Sequence, residues 1–181
     1  VVVHEVAHGY AAYRFGDNTA LYAKRLTLNP FRHLDWFGSV LLPALLVLSG
    51  TGLIFGWAKP VPYNPNNLTP RRKGEFWVAS AGIIVNLAMA IIFGLIMRGA
   101  VYLEISALPF YFITGTIVAI NLMLALFNLI PVPPLDGSKI LFTIMPAHWY
   151  KVREFLEKYS LIFIVLVLLF VGRLLFPVVS F

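Results

Sequence analysis

Phe76-Trp77-Val78-Ala79-Ser80-Ala81-Gly82-Ile83-Ile84-Val85-Asn86-Leu87-Ala88-Met89-Ala90-Ile91-Ile92-Phe93-Gly94-Leu95-Ile96-Met97 contains no charged residue. As a helix rising 1.5 Å per residue, this run covers the ~30 Å hydrocarbon core of a bilayer. It predicts a transmembrane helix, with Ser80, Gly82 and Asn86 in its first half. A second run, Leu108–Leu129, predicts another, with Asn121 and Asn128 two turns apart on one face. Arg98–Ala107 is expected to be the turn between them. Leu161–Phe176 predicts a last span. Phe37–Gly56 is also uncharged and long enough to cross, but Pro43, Gly50, Gly52 and Gly56 interrupt it.

The whole chain agrees with these local readings. It is 60% hydrophobic and 12% charged, whereas a soluble domain carries about 25% charged residues. Its 181 residues predict a single domain, 1–181. The net charge of +6 does not mark a nucleic-acid surface, because the basic residues sit in loops between apolar spans. They are topology signals and lipid-headgroup contacts. Without cysteine there is neither a disulfide framework nor a thiolate metal site. The chain opens on Val inside an apolar run, so an upstream segment is expected. The expected fold is an all-α polytopic membrane protein: a transmembrane helix bundle with a small irregular or β-containing loop region. Tyr22–Leu28 alternates enough for a short strand. Gly56–Pro65 is a proline-dense loop. Lys139–Lys158 reads as amphipathic and interfacial, with Trp149 and Tyr150 in a belt position.

The chemistry starts at His4-Glu5-Val6-Ala7-His8, an H-E-x-x-H pattern within Val1–Phe15, which predicts a helix closed by Gly16-Asp17-Asn18-Thr19. Residues i and i+4 share a helix face, so both imidazoles can bind one metal ion, with Glu5 beside them to take a proton from water. Catalytic zinc needs one more protein ligand and an open position. Two places could supply that ligand. His33 and Asp35 lie in Phe31-Arg32-His33-Leu34-Asp35, which reads more simply as an interfacial polar loop. Asp136 lies in Ile130-Pro131-Val132-Pro133-Pro134-Leu135-Asp136-Gly137, where the prolines exclude regular helix. Irregular backbone beside a membrane span is tolerated only against protein or a wet cavity, so a polar site is expected there.

Three features stand in chain order: His4-Glu5-x-x-His8, Gly82-x-x-x-Asn86, and Asn128-x-x-Pro131-x-x-x-x-Asp136-Gly137. Together they resemble the site-2 protease family of intramembrane zinc metalloproteases, in its compact prokaryotic form without a PDZ domain. Leu28-Asn29-Pro30 and Gly56-Trp57-Ala58-Lys59-Pro60-Val61-Pro62 resemble loops of that subgroup. One position departs, since Ile83 stands where the family commonly has proline. The resemblance implies Zn2+ held by His4, His8 and Asp136, with Glu5 as general base. It also implies that Asn86, with Asn128, holds the substrate strand or the oxyanion, although Asn128 and Asn121 read more simply as interhelical hydrogen bonders. The substrate implied is a transmembrane helix of another protein, met in the lipid bilayer of a prokaryotic cell membrane; no nucleic acid is involved.

Topology decides whether such a site can close. If Phe37–Gly56 enters the bilayer and returns, every Lys and Arg except Arg98 and Arg173 falls on one side. The positive-inside rule makes that side cytoplasmic. The same arrangement puts Asp136 on the side of the His4–His8 helix end, whereas a full crossing separates them by a ~30 Å core. The expectation is a non-crossing segment and an active site towards the cytoplasm. The rival reading is a zinc-binding membrane protein without hydrolase activity, a transporter or an inactive scaffold. A transporter should carry polar residues along a whole crossing, and here they gather at one end.

Overall fold

A computed structural model describes residues 1–50 and 56–167. The described residues are helical or irregular and include no strand. They fall into two compact units, Val1–Val78 and Ala79–Phe181.

In the first unit, α1 (Val2–Arg14) carries the histidine pair. It stops at Gly16, whose φ of +98° needs a glycine. The Gly16 N–H bonds the Tyr13 carbonyl, and the Asp17 N–H reaches back to Ala12. That is the Schellman pattern of helix closure. α2 (Thr19–Tyr22) follows and closes the same way around Lys24, at φ +54°. The Arg25 N–H bonds the Ala20 carbonyl there. Tyr22–Leu28 is therefore a helix end and an irregular segment rather than the short strand that its alternation suggested. Helix through Tyr22, entered by a turn in which Asp17 accepts from both the Thr19 N–H and hydroxyl, outweighs β-propensity.

Asp17 organises this unit. It is fully buried. Beyond Thr19, it accepts from the Asn64 N–H at 2.6 Å and from Asn67 Nδ2 at 2.9 Å. Burial raises its carboxyl pKa, but the bonds from Thr19, Asn67 and Asn64 outweigh that, and the net value lies below the ordinary one. With a depressed folded pKa, the stabilisation is present above about pH 4 and is lost as acidification passes through the folded value. Asp17→Asn should therefore lower the melting temperature at neutral pH. The difference between wild type and variant should shrink on acidification in a thermal scan; a gap that stays constant or widens would contradict this account. Beneath Asp17, Ala12, Leu68 and Val78 form the core, with Ala11, Phe15 and Tyr63 packed around it.

The segment after α2 bears on membrane topology. A 3₁₀ turn, Pro30–His33, leads into six residues of π-helix, Trp36–Leu41, and then α3 (Leu42–Leu48). From Trp36 to Leu48 the helix is roughly 20 Å long or less, short of a ~30 Å core. Residues 51–55 lie outside the described part, but the chain returns beside its own start. The Trp57 N–H bonds the Gly38 carbonyl at 3.1 Å, and the Ser39 hydroxyl donates to the Trp57 carbonyl at 2.7 Å. The Lys59 N–H bonds the His33 carbonyl at 2.8 Å. The Trp57 indole fills the space that a side chain at Gly38 would need.

α4 (Arg71–Tyr102) and α5 (Leu108–Leu129) are each apolar and long enough to cross a membrane. Only 28% of α4's most apolar stretch and 11% of α5's are buried within the protein, so these faces suit lipid rather than a soluble core. α5 has the expected bounds. α4 extends beyond Phe76–Met97 at both ends and continues through Arg98 and Gly99 to Tyr102, with no proline to stop it. It closes at Glu104, which takes φ +55° while the Ile105 N–H reaches the Ala100 carbonyl. The expected Arg98–Ala107 turn thus begins only after Tyr102.

In the second unit the chain after α5 is irregular to Leu135, and α6 (Asp136–Ile144) begins at Asp136 itself. Asp136 and Gly137 are therefore helical and only the proline-rich residues before them are not. α6 packs on α5. A side chain at Gly137 would run into the Leu129 and Ile130 carbonyls, which accounts for glycine after Asp136. α6 stops before Pro146, and α7 (Tyr150–Lys158) starts anew, so two helices share the stretch Lys139–Lys158. Helix resumes over 160–167. The rest of the expected Leu161–Phe176 span lies outside the described residues.

Candidate metal centre

His4 and His8 stand one turn apart on α1, and both are buried. Their Nε2 atoms are 3.0 Å apart, with the rings nearly perpendicular at 88°. Zinc–nitrogen bonds of ~2.0–2.1 Å in a tetrahedral shell place two ring nitrogens about 3.3 Å apart, so the pair suits a shared ion. His8 is oriented from behind: Nδ1 lies 2.6 Å from the Val78 carbonyl. A carbonyl only accepts, so Nδ1 carries the proton and Nε2 keeps its lone pair. No side-chain pattern signals that main-chain partner.

Asp136 is buried as well. Each of His4, His8 and Asp136 offers one ligand atom, and these atoms lie within 4.8 Å of one another. Two imidazoles and one carboxylate form a donor set suited to zinc. Lys139 Nζ donates to Asp136 Oδ1 at 3.0 Å. Sequence reasoning missed Lys139, although an i, i+3 spacing from Asp136 on one helix would have pointed to it.

His33 and Asp35 serve elsewhere. The His33 Nε2 lies 2.8 Å from the Thr27 carbonyl, and Asp35 accepts from the Gly38 N–H at 2.7 Å, capping the π-helix. Neither belongs to the three-ligand group found among the described residues.

Glu5 is half-buried, and its Oε2 accepts from the Val61 N–H at 3.0 Å. Asn86 is buried within α4. Asn128 Nδ2 bonds the Leu124 carbonyl of its own helix at 2.9 Å, and Asn121 bonds Ile117 in the same way.

Comparison with known proteins finds that the profile of peptidase family M50 matches residues 100–172. YwhC of Bacillus subtilis (strain 168), a candidate zinc metalloprotease, is 40% identical over 180 residues, which is 95% of this chain and 76% of that protein. The candidate zinc metalloprotease MJ0611 of Methanocaldococcus jannaschii is 31% identical over 144 residues, 77% of this chain and 63% of that one. The candidate zinc metalloprotease Rip2 of Mycolicibacterium smegmatis is 32% identical over 143 residues, 75% of this chain and 50% of that one. No solved structure matches.

Proposed function

Because the chain belongs to peptidase family M50, we propose that it is a zinc endopeptidase that hydrolyses peptide bonds in or near transmembrane helices of other membrane proteins. The observation that carries this reading is the buried group of His4, His8 and Asp136 beside an adjacent carboxylate. These three residues would hold the ion. When bound, zinc supplies Lewis acidity, bringing a water pKa towards about 7 and polarising the scissile carbonyl. Glu5 accepts the proton of the attacking water and passes it to the leaving nitrogen as the carbon–nitrogen bond breaks. Asn86 and Asn128 hold the substrate strand or its developing oxyanion. A substrate helix hides its carbonyls in its own hydrogen bonds, so it must unwind locally before attack. Burying His, Glu and Asp near lipid-facing helices is costly, which itself argues for a function. A transporter would need the ligands but not the proton-accepting carboxylate.

The test is cleavage of a membrane-embedded substrate helix carrying Gly, Asn or Pro near its middle, where unwinding is easy. Chelation should abolish cleavage, and about one equivalent of zinc should restore it. Cleavage that survives complete metal removal would overturn the reading.

We further propose a multi-span protein in a prokaryotic membrane, with Phe37–Gly56 entering and leaving on the cytoplasmic side. The hydrogen bonds that join 57 to 38 and 39 support this. The chain has no cysteine, so single cysteines at Asn18 and Asn66 can be labelled from either side of sealed vesicles. Both should react from the cytoplasmic face. Opposite labelling of Asn18 and Asn66 would mean that the segment crosses.

A further inference from the structure

Pro60-Val61-Pro62 has a single backbone donor, because proline carries no N–H. That one donor, the Val61 N–H, is given to Glu5 Oε2 at 3.0 Å. Val61 is itself buried, and its seat on α1 is specific. A Cβ at Gly9 would come within 2.6 Å of Val61 Cγ1 and 2.7 Å of Leu26 Cδ2. Gly9 lies one turn beyond Glu5, on the same face. The bare backbone at Gly9 thus admits the Val61 side chain, and this brings the Val61 N–H to the carboxylate. The loop is pinned on both sides of this contact. Before it, the Lys59 N–H bonds the His33 carbonyl; after it, the Asn64 N–H bonds Asp17.

From this geometry we infer that the Val61 main-chain amide is the positioning group for the general base. It holds Oε2 and leaves Oε1 to receive the proton from water and return it to the leaving nitrogen. A free Glu side chain samples several rotamers, and a base held within hydrogen-bond reach of the reacting proton acts without that search. The loop reading assigned by resemblance gave Val61 no such role. The inference rests on Glu5 being the base.

The direct test removes the N–H and keeps the shape, by replacing the 60–61 amide with an ester through α-hydroxyvaline at position 61. In membrane vesicles, kcat should fall by about ten- to a hundredfold, the value of a hydrogen bond to a charged acceptor. KM and zinc content should stay within about twofold. Val61→Ile keeps the N–H and should keep kcat close to wild type, whereas Val61→Pro should behave like the ester. Followed over long incubations in a Glu5→Gln background, the ester should cause little further loss. Unchanged kcat in the ester, or an equal loss in both backgrounds, would overturn the inference. If Glu5→Gln alone leaves cleavage undiminished, the functional reading fails first. If Glu5→Gln abolishes rapid cleavage and the ester does not slow it, only the positioning role fails.

Discussion

Glu5→Gln should lower cleavage of a membrane-embedded substrate by about two to four powers of ten, the range of a positioned general base. Zinc should remain at about one per chain. Glutamine keeps the size and shape of the side chain, and its amide oxygen can still accept from the Val61 N–H. It cannot accept the proton of the attacking water at neutral pH. His4, His8 and Asp136 are untouched, so the ligand set stays whole. The change therefore separates proton transfer from metal binding, which a ligand substitution cannot do. His4→Ala should lose metal and activity together. Rapid cleavage by Glu5→Gln, with zinc in place, would remove Glu5 from the mechanism and revive a non-hydrolytic reading of the metal site.

Asp136→Ala should reduce bound zinc from about one per chain to a small fraction, with cleavage falling in parallel. Two imidazoles alone hold zinc far less firmly than a three-ligand site. The loss also removes a carboxylate that accepts from the Lys139 ammonium. His33→Ala should leave zinc unchanged, because His33 is engaged with Thr27 and lies outside the ligand group. Zinc retained by Asp136→Ala and lost by His33→Ala would reverse the ligand assignment.

Legibility in the sequence followed the kind of interaction involved. Leu108–Leu129 could be bounded to the residue, because Pro109 starts it and Pro131 stops it. The histidine spacing located the site, because helical periodicity alone puts i and i+4 together. Where helix ends depend on a non-glycine residue in the left-handed region, at Lys24 and Glu104, nothing in the local pattern announces the turn. A short strand was read at the first of these, and too early a helix end before the second. Asp17 looked like an ordinary turn residue, since its donors at Asn64 and Asn67 lie far along the chain. The Val78 carbonyl and the Val61 N–H are main-chain groups and leave no side-chain signature at all.

The central claim is that His4, His8 and Asp136 hold one zinc ion. Anomalous diffraction at the zinc edge, on crystals of the zinc-loaded protein, tests this most directly. The account predicts one strong peak about 2.0–2.2 Å from His4 Nε2, His8 Nε2 and an Asp136 carboxylate oxygen, with room for a water as fourth ligand. A peak on His33, a peak on the histidines with no bond to Asp136, or no peak in a fully active preparation would contradict it.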